Sequence, residues 1–314
     1  MSAMNPAQAR VVDPVLSTVA QGYKNNAMIA SVLFPTVPVL ARGGNIITFG
    51  KESFMLYQTQ RAPGENTKRI RFGYAGAPYA IVDHSLEGMV PVEIEEEAMT
   101  VPGIDLGAGA INGVQDLMLL GVEKRSADIA RNAASYAGSN KVTLSGTDQW
   151  SDYGATSDPI DDVEAAKNAI RAATGKYPNV LVMGSAVMSK VKHHPKIVDR
   201  IKYTGRDVAT PELLASLFGV AQVVEGGAIY SNDAGSAFSD VWGKDVVLAY
   251  TPNASVAQQG LPSYGYTYQL RGYPLVEEAY YDRSAKSWVY PVTRSEAPVL
   301  ASASAGFLIT NAVA

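Results

Sequence analysis

NIITFGKESFMLYQTQRAPGENTKRIRFGYAGAPYAI, residues 45–81, reads as one long two-stranded hairpin. Its tip is RAPGEN, where Pro63 suits the second position of a type II turn and Gly64 the third, which needs positive φ. The return arm alternates, with Ile70, Phe72 and Tyr74 on one face and Arg69 and Arg71 on the other. Each arm of about 15 residues would reach about 50 Å at about 3.3 Å per residue. An isolated two-stranded hairpin is marginal in water. The preceding stretch, DPVLSTVAQGYKNNAMIASVLFPTVPVL (13–40), carries Pro14, Pro35 and Pro38 among scattered apolar residues. It has room for a short helix only between about Leu16 and Leu33. Residues 1–82 therefore have no core of their own. They make sense if arm and hairpin lie on other copies of the chain, as in a lattice-forming structural protein.

The rest of the composition supports a folded body. The chain has 314 residues, 47% hydrophobic and 18% charged, enough for a sizeable core. Its net charge of -4 is too mild for a nucleic-acid specialist. The absence of cysteine excludes disulfides, thiolate metal sites and cysteine nucleophiles. MSAMNPAQAR, the first residues, has no apolar stretch typical of a signal peptide, and no apolar run is long enough to suggest a membrane span.

After the hairpin comes a mixed stretch with an acidic run, then a long helix predicted over about Leu106 to Ala137, with Gly138 as its stop. Ile111, Val114, Met118, Val122, Ile129, Ala133 and Tyr136 follow helical spacing. Gly107, Gly109, Gly113 and Gly121 each cost about 1 kcal/mol against Ala and mark fraying or close packing. Residues 140–268 read as a compact α/β lobe. In TSDPIDDVEAAKNAIRAATG, Asp158 is the N-cap, Pro159 sits at N1, Asp161 and Asp162 favour the positive end and Gly175 closes the helix. NVLVMG (179–184) is a buried strand. A helix broken near Pro195 follows, then one capped by Thr210 and Pro211 and ended by Gly219. AQVVEG and DVVLAY are further strands. From Gly265 the chain is tyrosine-rich β-structure with a turn at Asp282 to Lys286, and GFLITNAV is the last strand.

Few residues suggest chemistry. His193 and His194 are adjacent and do not converge on a metal; with His84 the only other histidine, they read as a polar helix end. Glu93, Glu95, Glu96 and Glu97 read as a solvated or arginine-paired edge, open to Arg69 or Arg71 of a neighbouring hairpin, and not as a catalytic carboxylate pair. No G-x-S-x-G elbow, Walker loop or dinucleotide fingerprint occurs. TKRIR and KVKHHPK are short basic patches suited to subunit contacts or surface. No catalytic residue, metal site or cofactor is expected.

The strings DPVLSTVAQGYKNNAMIASVLFPTVPV, FGKESFMLYQTQRAPGE, NKVTLSGTDQWSD, HHPKIVDRIKYT, VATPELLASLFGV and FSDVWGKDVVLAY resemble tailed-bacteriophage major capsid proteins of the Hong Kong 97-type fold. So does the order of arm, hairpin, long helix, inserted lobe and returning strands. The resemblance implies an α+β chain with an N-terminal arm at 1–42 and an extended loop at 43–82. A peripheral domain with the spine helix would take 83–139 and 269–314, and an axial domain 140–268.

The resemblance further implies pentamers and hexamers in an icosahedral shell around double-stranded DNA, contacted non-specifically. A portal is implied, possibly a decoration protein, and, because the arm starts almost at Met1, a separate scaffolding protein. The location implied is the virion, with assembly in the bacterial host cytoplasm and no membrane. Extended-loop contacts would be Phe54, Leu56, Tyr57, Arg61, Pro63, Gly64, Arg69 and Arg71. The capsomer-centre loop would lie in EGGAIYSNDAGSAFSDVWG, at Asn232, Asp233 and Gly235. Lys51 and Lys68 lie in or near the loop, where some members cross-link a lysine to an asparagine; ordinary surface lysine is the simpler reading. An encapsulin-like cargo shell, a soluble α/β hydrolase and a phage tail or decoration subunit are the alternatives.

Overall fold

The structure is a computed structural model that describes residues 17, 28–45, 59–61, 63, 64, 66, 67, 69, 78–98, 105–154, 156–202, 209–231, 237–252 and 263–314. Two sheets and one long helix organise them.

The first sheet is built on β14 (Ser287–Leu300). One edge of β14 pairs antiparallel with β4 (Val82–Pro91), from Glu296 opposite Val82 to Ser287 opposite Pro91. Its other edge takes β13 (Tyr280–Asp282), β12 (Leu275–Val276) and β11 (Gly265–Leu270) in turn. β1 (Thr36–Val39), from the N-terminal arm, adds to β11 in parallel. The turn expected at Asp282 to Lys286 joins β13 to β14, and Asp282 closes it by accepting from the Ser284 N–H and hydroxyl.

The long helix α3 (Leu106–Ala130) lies across this sheet. Asp105 caps it, accepting from the Ala108 N–H at 2.9 Å. Ile111, Val114 and Met118 pack on Val276 and Val292. Close approach depends on Gly88 of β4, where an added Cβ would lie 3.1 Å from the Ala110 Cβ. At Gly107 a Cβ would sit 2.7 Å from the Tyr290 hydroxyl, so this glycine marks packing; Gly109 and Gly113 face open space. The helix stops at Ala130, short of the expected Ala137. Asn132 turns extended and caps a 3-10 turn at Ala133–Ser135. Arg131 leaves the helix to bind Asp245 at 2.6 Å and the Val241 carbonyl at 2.9 Å. Tyr136 stays buried, but through its hydroxyl, which donates to the Ala130 carbonyl and meets the Tyr264 hydroxyl.

The second sheet runs β5 (Lys141–Thr143), β15 (Gly306–Thr310), β10 (Val246–Ala249), β6 (Val180–Gly184) and β7 (Gln222–Gly226). β6 and β10 are wholly buried, so neither alternates. α4 (Pro159–Thr174), α5 (Ser185–Val191), α6 (Pro195–Ile201) and α7 (Pro211–Phe218) supply apolar residues to its main core, with Trp150 buried among them. The caps at Asp158, Thr210, Gly175 and Gly219 are as expected, both glycines being left-handed. The last strand differs from expectation. The resemblance implies a place for β15 with the spine helix in 269–314, yet it pairs with β10 and β5 of the lobe sheet. Phe307, Leu308 and Ile309 are all buried, which a central strand covered on both faces requires. β11 in turn begins before residue 269 and belongs to the β14 sheet.

Candidate functional site

The arm and the base of the hairpin each meet the body at defined contacts. β2 (Gly43–Asn45) and β3 (Pro78–Ala80) pair antiparallel in a sheet of their own, Gly43 opposite Ala80 and Asn45 opposite Pro78. This is the base of the predicted hairpin. Its described contacts with the body are these: Ile81 is buried with Val37, Tyr266 and Tyr268, Tyr79 stacks on Tyr268 at 4.1 Å, the Ile81 N–H donates to the Arg42 carbonyl, and Arg42 pairs with Asp83 at 2.7 Å. β2 is exposed along its length, and Leu40 before it is 79% exposed. At the tip, Pro63 and Gly64 form a turn with Gly64 at φ 87°, as the sequence requires. Arg61, Pro63, Gly64 and Arg69 are all exposed. Phe54, Leu56, Tyr57 and Arg71 lie outside the described residues, as do Lys51 and Lys68.

The arm meets the body at several points. α1 (Ala30–Leu33) buries Ala30 and Leu33, and Phe34 follows against Tyr264. The helix expected somewhere between Leu16 and Leu33 is thus one turn among the described residues, with Ser17 also helical. Glu123 of α3, fully buried, accepts from the Ala30 N–H at 2.7 Å and from Trp242 Nε1 at 2.6 Å. Burial pushes its pKa up, and hydrogen bonds from Trp242 and from the Ala30 and Ile29 backbone pull against that. Ser17 exchanges two hydrogen bonds with the Val276 backbone, which joins the start of the arm to β12. Glu123 escaped the sequence reading because EKRS looks like a solvated helix face. Its signal was its place in the stripe Ile111, Met118, Val122.

The acidic run forms α2 (Val92–Ala98), a short helix continuing β4, with no residue fully buried. Glu93, Glu96 and Glu97 are exposed and Glu95 partly so. Asn232, Asp233 and Gly235 lie outside the described residues. The strands on either side, β8 (Ile229–Ser231) and β9 (Phe238–Asp240), form a small hairpin that leaves Phe238 71% exposed.

A serine–histidine contact among the described residues runs the wrong way for catalysis. Buried His194 caps α6, its Nδ1 accepting from the Lys196 N–H at 3.3 Å. Nε2 therefore carries the proton and donates to the Ser157 hydroxyl at 3.2 Å, so it cannot take that hydroxyl's proton. Desolvation lowers the His194 pKa, with Asp158 opposing and Lys196 assisting, and keeps the ring neutral. His193 and His194 do not converge, and no cluster able to hold a metal occurs among the described residues. Among the same residues no helix is long and apolar enough to cross a membrane.

The comparisons with known proteins agree with this geometry. The phage major capsid protein E family model matches residues 136–289. The major capsid protein of Burkholderia phage BcepMu is 37% identical over 309 residues, 97% of this chain and 98% of that protein. A phage-related protein from Bordetella bronchiseptica RB50, known from a crystal structure, is 47% identical with TM-score 0.83, covering 97% of this chain and 98% of that one. The mature capsid of bacteriophage PhiM1 shares the fold at TM-score 0.53 and 14% identity, over 92% of this chain and 88% of that one. The α+β architecture is the Hong Kong 97-type capsid fold. The relatives are structural proteins, not enzymes, and are phage capsid proteins, which favours the phage reading over an encapsulin-like shell. The chain belongs to the phage major capsid proteins, components of the virion that assemble with copies of themselves.

Proposed function

We propose that copies of this chain join as pentamers and hexamers into an icosahedral shell around double-stranded DNA, and that residues 43–82 reach from each subunit onto its neighbours. The observation that carries this reading is the β2–β3 sheet, which among the described residues is a two-stranded pair separate from the two large sheets. A two-stranded hairpin is marginal on its own, and a second surface would stabilise it. Each such contact is weak, and repetition around a closed ring gives the shell its strength. Arg61 and Arg69 are exposed donors for that contact, with Pro63 and Gly64 setting the tip; Phe54, Leu56, Tyr57 and Arg71 complete the set proposed from sequence. Glu93, Glu95, Glu96 and Glu97 on α2 are the acidic edge proposed to receive it.

The lobe built on β6 and β10 would face the capsomer centre, with the β8–β9 hairpin and Asn232, Asp233 and Gly235 at its tip. DNA would be contacted without sequence preference, as the mild net charge suits. A separate scaffolding protein, a portal, possibly a decoration protein, and assembly in the host cytoplasm complete the proposal. Deleting residues 55–70 tests it. The expected result is a subunit with parental circular dichroism that forms no shell; shells of normal size would refute the reading.

A further inference from the structure

A pocket of about 360 Å³ opens between the start of β4, the second half of α3 and β14. Val82, Ile129 and Pro298 give it apolar walls; Arg125, Asp128 and Glu296 give it charge. Two of those charges are already matched. Arg294 holds both oxygens of Glu296, Nε to Oε1 at 2.7 Å and Nη2 to Oε2 at 2.9 Å, and its Nη1 donates to Gln115 Oε1 at 3.0 Å. Asp128 pairs with Lys124 one turn earlier on the helix. Arg125 shares Glu296 with Arg294. Its Nε is buried and has no hydrogen-bond partner. Burial lowers its basicity, Glu296 offsets part of that and Arg294 adds to it. His84, also lining the pocket, is held below its ordinary pKa by burial and by Arg125, so it stays neutral and adds no second positive charge. The nearest carboxylate to Arg125, Glu296, is already held by Arg294, so this half-buried guanidinium is only partly compensated, and a further carboxylate placed on it lowers the cost.

We propose that this pocket is a socket for an acidic side chain of a second copy of the chain, whose carboxylate pairs with Arg125 and whose methylenes lie on Val82, Ile129 and Pro298. The apolar walls fit the stem of a glutamate or aspartate and the single cation fits its head. The chain carries 30 acidic against 26 basic residues, so its copies bring an excess of carboxylates to one another. A phosphodiester is the weaker candidate, because Asp128 and Glu296 would face its neighbouring phosphates. A socket on one face filled by a side chain from another face is a head-to-tail contact, the kind that closes rings.

The test is the critical concentration for assembly of Arg125→Gln and Arg125→Lys chains, with the side-chain density around residue 125 in assembled parental shells. The expected results are an Arg125→Gln critical concentration raised about tenfold, one charged contact's worth, partial recovery in Arg125→Lys, and unchanged melting of the unassembled full-length subunit. Density should show a carboxylate of a neighbouring copy within hydrogen-bonding reach of the guanidinium. An unchanged critical concentration overturns the inference. So does a parallel fall in subunit melting, which would make Arg125 an internal strut, or density from solvent, a phosphate or the same chain.

Discussion

Trp242 donates its indole N–H to Glu123 at 2.6 Å, and both side chains are buried. The other oxygen of Glu123 takes the Ala30 N–H. One carboxylate thus fastens three parts of the chain: the N-terminal arm, the spine helix and the segment before β10. Hydrogen bonds to a charged group contribute about 1.5–3 kcal/mol each, and losing the acceptor leaves two buried donors unmatched. Glu123→Ala is therefore expected to destabilise the subunit by about 3–5 kcal/mol and to speed amide exchange over residues 28–39 more than over β6 and β10. Uniform loss of protection would place the effect on the whole body and contradict the pin.

The same carboxylate has a pH signature. Its folded pKa lies above the ordinary 4.5, so the folded state binds the proton more tightly than the unfolded one. The pH-dependent part of its contribution to stability is full below about pH 4.5 and is lost as pH rises through the folded value. Denaturation of parent and Glu123→Gln across that range should show the parent's advantage shrinking as pH rises. An advantage that grows with pH would reverse the assignment.

His194 acts in the opposite sense. Its pKa is lowered from 6.5 by burial, so its contribution is present above pH 6.5 and lost as pH falls through the folded value. Asparagine is a good N-cap. His194→Asn should keep α6 capped, cost about 1 kcal/mol or less at pH 8, and lose less stability than the parent between pH 6.5 and pH 5. Equal loss in both chains would mean that His194 does not titrate in this range.

Two glycines should respond in opposite directions. A Cβ on Gly184 would lie 1.9 Å from the Gly243 carbonyl oxygen, a clash with backbone that no rotamer relieves. Gly113 on α3 has open space around it. Gly184→Ala is expected to cost about 3 kcal/mol or more by forcing β6 away from its neighbour. Gly113→Ala should stabilise the unassembled subunit by about 1 kcal/mol through helix propensity. Thermal melting of the two variants checks both signs.

The local parts of this fold were legible in the sequence because their causes are local. Asp158, Pro159 and Gly175 bracket α4, and Thr210, Pro211 and Gly219 bracket α7, each through neighbours a few residues away. The glycine-terminated tip at Pro63–Gly64 is of the same kind. What was missed is non-local. Gly138 looked like the stop of α3, but Arg131 is drawn out of the helix by Asp245, more than a hundred residues on. β15 looked like one more returning strand, and only its partners Lys141–Thr143 and Val246–Ala249 show which sheet it joins. Arg125 and Glu123 sit in one charged run, EKR, that reads as solvated; one faces a pocket and the other a tryptophan.

The measurement that bears most directly on the central claim is a near-atomic structure of the assembled particle, asking what residues 43–82 touch. The account predicts that the hairpin leaves its own body beyond β2 and β3 and lies across a neighbouring subunit in a closed shell. A hairpin folded back onto its own subunit would contradict it.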